Sequence, residues 1–145
     1  MVDLEEYRSE IEHFLIDGIS KFRREVGEPN LIGVYCCPWS GWISLNFNVK
    51  KKLSETKENC PDFEYVEFNM IDFESWADEY ESEQPVWRYR NSIYQDNLDE
   101  GDAGLNRLFF IFMKELIQKM NTGGAAPIIL LQLLDSEFTE RITRQ

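Results

Sequence analysis

The chain has 145 residues, 43% of them hydrophobic and 14% aromatic, and a formal charge of −12 from 15 basic and 27 acidic side chains. That length is one domain at the usual ~100–200 residues per domain, and the apolar fraction suffices for a core, which excludes wholesale disorder. So acidic a chain is a poor general binder of nucleic acid, because every phosphate would meet like charge; a cationic partner or plain solubility fits it.

The start, Met-Val-Asp-Leu-Glu-Glu-Tyr-Arg, lacks the basic residues and apolar run of a secretory signal. The longest apolar run, 125–131, is broken by Pro127 and falls far short of the ~20 residues of a membrane span. Residues 3–26 read as an amphipathic helix. Leu4, Tyr7, Ile11, Phe14, Leu15, Ile19, Phe22 and Val26 recur every three or four residues, with Asp3 as cap and Gly27 as stop.

Residues 31–37 are short, apolar and partly β-branched, and Pro38 to Gly41 reads as a turn. In 42–49, Ile43, Leu45, Phe47 and Val49 alternate with Trp42, Ser44, Asn46 and Asn48. Two such runs about a short loop predict an antiparallel hairpin with one covered face. Residues 50–59 are polar, and 63–71 make a third strand. A short helix is expected near 74–81 and an irregular or helical piece near 91–97. A second long helix covers 103–120, with an apolar stripe broad enough to be buried on much of its surface, and the Gly123-Gly124 pair reads as its stop. Residues 128–134 fit a central strand buried on both faces. Asp135 or Ser136 then caps a short C-terminal helix. The fold expected is a single α+β domain over 1–145, with a small, mainly antiparallel sheet of about four strands and two long helices on one face.

Cys36, Cys37 and Cys60 are odd in number, and the first two are adjacent in a strand, so their side chains diverge. They read as free thiols of a reducing cytoplasm. The one histidine, His13, lies among acids off the main stripe and reads as a surface residue. No zinc spacing and no nucleophile–histidine pair is present. Asp96 to Asp102 places glycine sixth, as an EF-hand does, but Leu98 stands third and Arg107 twelfth, which argues against calcium. No cofactor, no metal and no enzymatic activity are predicted.

The charge is unevenly laid out. Residues 62–102 hold 13 acids against Arg88 and Arg90, a net −11 in 41 residues, while the flanking portions are near neutral. Trp76, Trp87, Tyr89 and Tyr94 are interleaved with these acids, and such residues are enriched at interface centres. The segment is either a solvated face or a surface for a basic protein; its tryptophans either anchor that contact or pack on the sheet. The expected contact residues are Asp72, Glu74, Trp76, Asp78, Glu79, Glu81, Glu83, Trp87, Asp96, Asp99, Glu100 and Asp102.

The layout resembles the small α+β immunity proteins of bacterial polymorphic-toxin and contact-dependent growth-inhibition systems. The likeness lies in the N-terminal amphipathic helix, the hairpin over 31–49, the stretch Asp72-Phe73-Glu74-Ser75-Trp76, the helix near 105–120 and the strand 128–134 running into Asp135-Ser136-Glu137. It implies a stoichiometric inhibitor of a toxin domain, often a basic nuclease, whose cationic groove the acids would occupy in place of nucleic acid. The other readings open at this point are a metal-assisted hydrolase using the acids of 72–102 and an acidic regulatory or scaffold protein.

Overall fold

The computed structural model describes residues 1–56, 58–95, 102–121 and 128–142. Its larger sheet follows from the alternation in the hairpin. β2 (Leu31–Cys37) and β3 (Trp42–Asn48) pair antiparallel with Ile32 opposite Phe47, Val34 opposite Leu45 and Cys36 opposite Ile43. Cross-strand partners share a face, so these six apolar side chains form one surface, and all six are buried. β4 (Tyr65–Asp72) adds antiparallel to β3, while β7 (Ile128–Leu133) runs parallel to β2 and carries β8 (Thr139–Ile142) antiparallel at the far edge. The order is β4-β3-β2-β7-β8.

Helix α1 (Arg8–Glu25) covers the β3–β4 side of this apolar face through Ile11, Leu15, Ile19 and Phe22; the Phe22 ring stacks on Phe47 at 4.0 Å. Gly18 makes the approach possible, because a Cβ there would collide with Leu45 Cδ1. The helix begins later than its periodicity suggests. Val2 and Asp3 form a short strand, β1, parallel to β5 (Val86–Tyr89), and Leu4–Tyr7 is a 3-10 turn capped by the Asp3 carboxylate, which accepts from Glu5 N–H at 3.2 Å.

A second sheet, β1-β5-β6, is completed by β6 (Ser92–Gln95) antiparallel to β5. This corrects the irregular or helical piece expected near 91–97, whose last two residues lie outside the described ones. Helix α3 (Asp102–Lys119) contacts β5 and β6 on one side and β7 and β8 on the other. That position explains its broad apolar stripe, with Leu105, Phe109, Phe112, Met113 and Ile117 all sealed from solvent. The α+β class therefore holds, but the architecture is two mixed sheets of five and three strands rather than about four mainly antiparallel ones. One long helix is wedged between the sheets. The expected C-terminal helix is also corrected. Asp135 takes a left-handed φ of 49°, Ser136 Oγ donates to Leu133 O and accepts from Phe138 N–H, and the chain turns back as strand β8.

Candidate functional site

The acids of 72–83 sit where the apolar pattern puts them. Helix α2 (Glu74–Tyr80) buries Trp76 completely, so positions 74, 78 and 81, one helical face apart from it, must point outward. Asp72, Glu74, Asp78, Glu81 and Glu83 are all exposed, and none makes an ion pair among the described residues. The only two cations of the acidic segment are turned away from them. Arg88 bonds Asp3 at 2.8 Å, and Arg90 reaches Glu115 at 3.0 Å and Glu5 at 3.8 Å. The net charge of the segment is thus concentrated further on the outer side of α2.

Glu79 behaves differently from its neighbours. Its carboxylate is 2.6 Å from the N-terminal ammonium and accepts from Val86 N–H at 3.0 Å. Burial raises its pKa, but the ammonium and the amide outweigh that and leave it below the ordinary carboxylate value. Glu79 therefore clips the chain start to β5 and belongs to the fold. Glu115 is likewise engaged, accepting from the Tyr89 hydroxyl, to which Arg8 also donates at 3.1 Å.

The aromatic anchors expected within this segment are not on the surface. Trp76 and Trp87 are fully buried, 5.3 Å apart edge to face, with Phe109 of α3 5.5 Å from Trp76. Tyr89 and Tyr94 are buried as well. Of the expected contact residues, these two tryptophans are core and Glu79 is structural. Asp96, Asp99, Glu100 and the side chain of Asp102 lie outside the described residues, as do the loop weighed for calcium and the Gly123-Gly124 stop.

Rings are only partly covered elsewhere, on the second face of the five-stranded sheet. There Gly33 lets the segment before β4 lie flat: a Cβ would stand 2.7 Å from both Cys60 Sγ and the Phe63 ring. Cys60 and Phe63 with Leu31 and Leu130 make a small second core, and Glu64 anchors the segment by accepting from the N–H groups of Val49, Lys50 and Lys51 at 3.0, 2.7 and 2.6 Å. This cover stops short of the β2–β3 turn. Tyr35 and Trp42 remain half-exposed, in edge contact at 5.4 Å, and Met70 is 43% exposed. The register aligns Tyr35, Ser44 and Met70 in one row and Cys37, Trp42 and Asp72 in the next. Asp72 thus joins the aromatic patch to the acids that begin at Glu74. The strand alternation already set Trp42 apart from the apolar face; what it lacked was any sign of how far the covering segment reaches.

Cys36, Cys37 and Cys60 are free and buried, and burial pushes the Cys60 thiol up to about 12. A thiol so held is not a nucleophile near neutral pH. No group of three His, Cys, Asp or Glu among the described residues could hold a metal ion. No helix among them is long and apolar enough to cross a membrane. No family model, curated protein or solved structure matches the chain.

Proposed function

We propose that the chain is a stoichiometric inhibitor of the immunity-protein kind. It binds a basic toxin domain, a nuclease, in the cytoplasm, where three buried free thiols are at home. The observation that carries this reading is the set of exposed carboxylates that make no ion pair among the described residues, Asp72, Glu74, Asp78, Glu81 and Glu83, set beside the half-buried rings of Tyr35 and Trp42. Unpaired surface acids attract a basic partner over a Debye length and speed encounter, whereas ring burial slows dissociation. A nuclease needs cationic surface to hold phosphate, so an acidic ligand competes for the groove its substrate uses.

The test is co-expression with a basic nuclease domain encoded beside this gene. A one-to-one complex and loss of RNA cleavage are the expected result. A nuclease that neither co-purifies nor loses activity overturns the proposal.

A further inference from the structure

The five-stranded sheet ends on one side at β4, which pairs with β3 and with no other strand among the described residues. The direction of its backbone groups follows from the register. Phe73 N–H donates to Gly41 O at 2.6 Å, next to the pairs Asp72–Trp42, Ile71–Ile43 and Met70–Ser44. Antiparallel pairs alternate between mutually bonded and unbonded, so Ile71 and Phe73 spend their backbone groups on β3, and Met70 and Asp72 turn theirs outward. The N–H and C=O groups of Met70 and Asp72 therefore stand in strand geometry with no hydrogen-bond partner among the described residues.

Such an edge templates pairing with another chain unless Lys, Pro, brevity or a cover blunts it. The opposite edge is treated in that way. β8 is four residues long, and its Arg141 and Glu140 are tied to Glu58 at 2.7 Å and to Lys114 at 2.6 Å. β4 is eight residues long, contains neither Lys nor Pro, and leaves Val66 46% and Met70 43% exposed. The bulge that sets Glu67 at a left-handed φ lies before Asn69 and leaves the regular pairing of 69–72 intact.

Side chains at this edge define what it can accept. Met70 and Asp72 face away from α1 and end the rows Tyr35–Ser44–Met70 and Cys37–Trp42–Asp72. A strand added here continues both rows. It places one side chain beside exposed, apolar Met70 and another, two positions along, beside Asp72. The Asp72 carboxylate is exposed and makes no ion pair among the described residues, and the exposed Glu74 and Asp78 follow it in the chain. Lys21 of α1 lies 5.8 Å from the Phe68 ring, on the helix side of the sheet, and does not answer Asp72. Opposite charges in neighbouring cross-strand positions attract and like charges repel. A second copy of β4, paired across a two-fold near Ile71, would set Asp72 and its copy diagonally across the same face. A strand bearing Lys or Arg is the complement instead.

We propose that the free edge of β4 receives an extended basic strand of the partner, which extends the sheet beyond β4 with a Lys or Arg beside Asp72 and an apolar residue beside Met70. Main-chain bonds supply the affinity and these two side chains the selectivity. That the strand belongs to a nuclease rests on the function proposed above; the register and charge of the edge do not.

The probe is the blocked peptide acetyl-Val-Thr-Arg-Thr-Val-Thr-Arg amide, titrated into the full chain by two-dimensional NMR at ~1–10 mM, as suits a short strand on its own. Its comparisons are the same peptide N-methylated at every residue, which keeps the charge and loses the backbone donors, and the peptide with Glu for Arg. Exchange of the Met70 and Asp72 N–H groups with water should slow about tenfold at saturation, because they become bonded, while that of Ile71, already bonded to β3, stays unchanged. Asp72→Lys should weaken binding about three- to tenfold. Met70→Pro removes an outward N–H, which an edge strand tolerates, and should abolish the protection at Asp72; Asp72→Lys, at an exposed side chain, carries the test if the proline variant does not fold. An equal response to the N-methylated peptide, or no slowing at Met70 and Asp72, overturns the edge. Equal binding of the Glu peptide overturns the basic strand, and protection that grows with protein concentration alone overturns it in favour of a second copy. If the nuclease complex forms and leaves both N–H groups unprotected, the edge falls and the inhibitor reading stands; if the peptide pairs and no nuclease binds, the reverse holds.

Discussion

The two faces of the five-stranded sheet share one backbone ladder and differ in almost everything else. On one, Ile32, Val34, Cys36, Ile43, Leu45, Phe47, Ile129, Leu131 and Leu133 are sealed under the long helices. On the other, glycine and polar residues alternate with apolar ones, and hydrogen bonds do much of the holding. Asn46 donates to Gly33 O at 3.3 Å and accepts from Glu67 N–H at 2.8 Å, at a bulge where Glu67 takes a left-handed φ of 52°. Asn48 Oδ1 accepts from Glu64 N–H at 2.9 Å. The covered face is where stability resides. The second face is covered by the segment before β4 at one end, while at the other Tyr35 and Trp42 are half-buried and Met70 is exposed, so that end can be given to a partner without unfolding the protein.

The largest effect that could break this contrast is a swap of tryptophans. Trp76→Ala removes a fully buried ring and should cost about 3–5 kcal/mol in urea unfolding. Trp42→Ala, where the ring is only half-buried, should cost less, about 1 kcal/mol. Equal losses would show that the second face is as much core as the first.

Next comes Gly33→Val, which drives side-chain atoms into Cys60 and Phe63 and should cost about 1–3 kcal/mol through overpacking. It should also speed labelling of Cys60 by a thiol reagent, because lifting the covering segment exposes a thiol that burial now holds unreactive. Unchanged labelling would mean that the cover is not seated on Gly33.

A smaller effect is expected in acid. Backbone N–H groups, that of Lys51 foremost, hold the Glu64 carboxyl below its ordinary value. A depressed carboxylate contributes stability above its unfolded pKa, and that contribution is lost as pH falls through the folded one. Glu64→Gln should therefore be less stable than the parent at neutral pH, and the two urea midpoints should converge as pH falls below the ordinary glutamate value of about 4.3. A gap that persists in acid would assign the effect to packing.

Smallest for stability is Asp78→Lys/Glu81→Lys/Glu83→Lys. Each change is expected to move stability by no more than about 0.5 kcal/mol, because all three side chains are exposed and make no ion pair among the described residues. The same variant should slow association with a basic nuclease and flatten its salt dependence. A large drop in stability would instead make the outer side of α2 structural.

Much of this was legible in residue order. The three-and-four spacing of α1 and the two-residue alternation of β3 are local signals, and both faces of β3 could be read from them. The hairpin β5–β6 was hidden because Trp87 and Tyr89 alternate over only four residues in acid-rich surroundings. The two-residue β1 that pairs with it has no local signature. At the C-terminus, Asp135 and Ser136 looked like helix caps, since the oxygens that cap a helix also build the turn seen there.

Sequence by itself determined the class of the fold, the apolar face of its sheet and the confinement of nearly all the charge to 62–102. Only tertiary structure decided which rings and which acids remain available. An aromatic residue is core or surface according to what packs across it, and the partners that bury Trp76 come from β5 and α3. A carboxylate is open or spent according to which cation can reach it. Arg88 is spent on Asp3 and Arg90 on Glu115, contacts that span 85 and 25 positions of chain. The −12 counted along the chain thus becomes a surface only through contacts that no local pattern encodes.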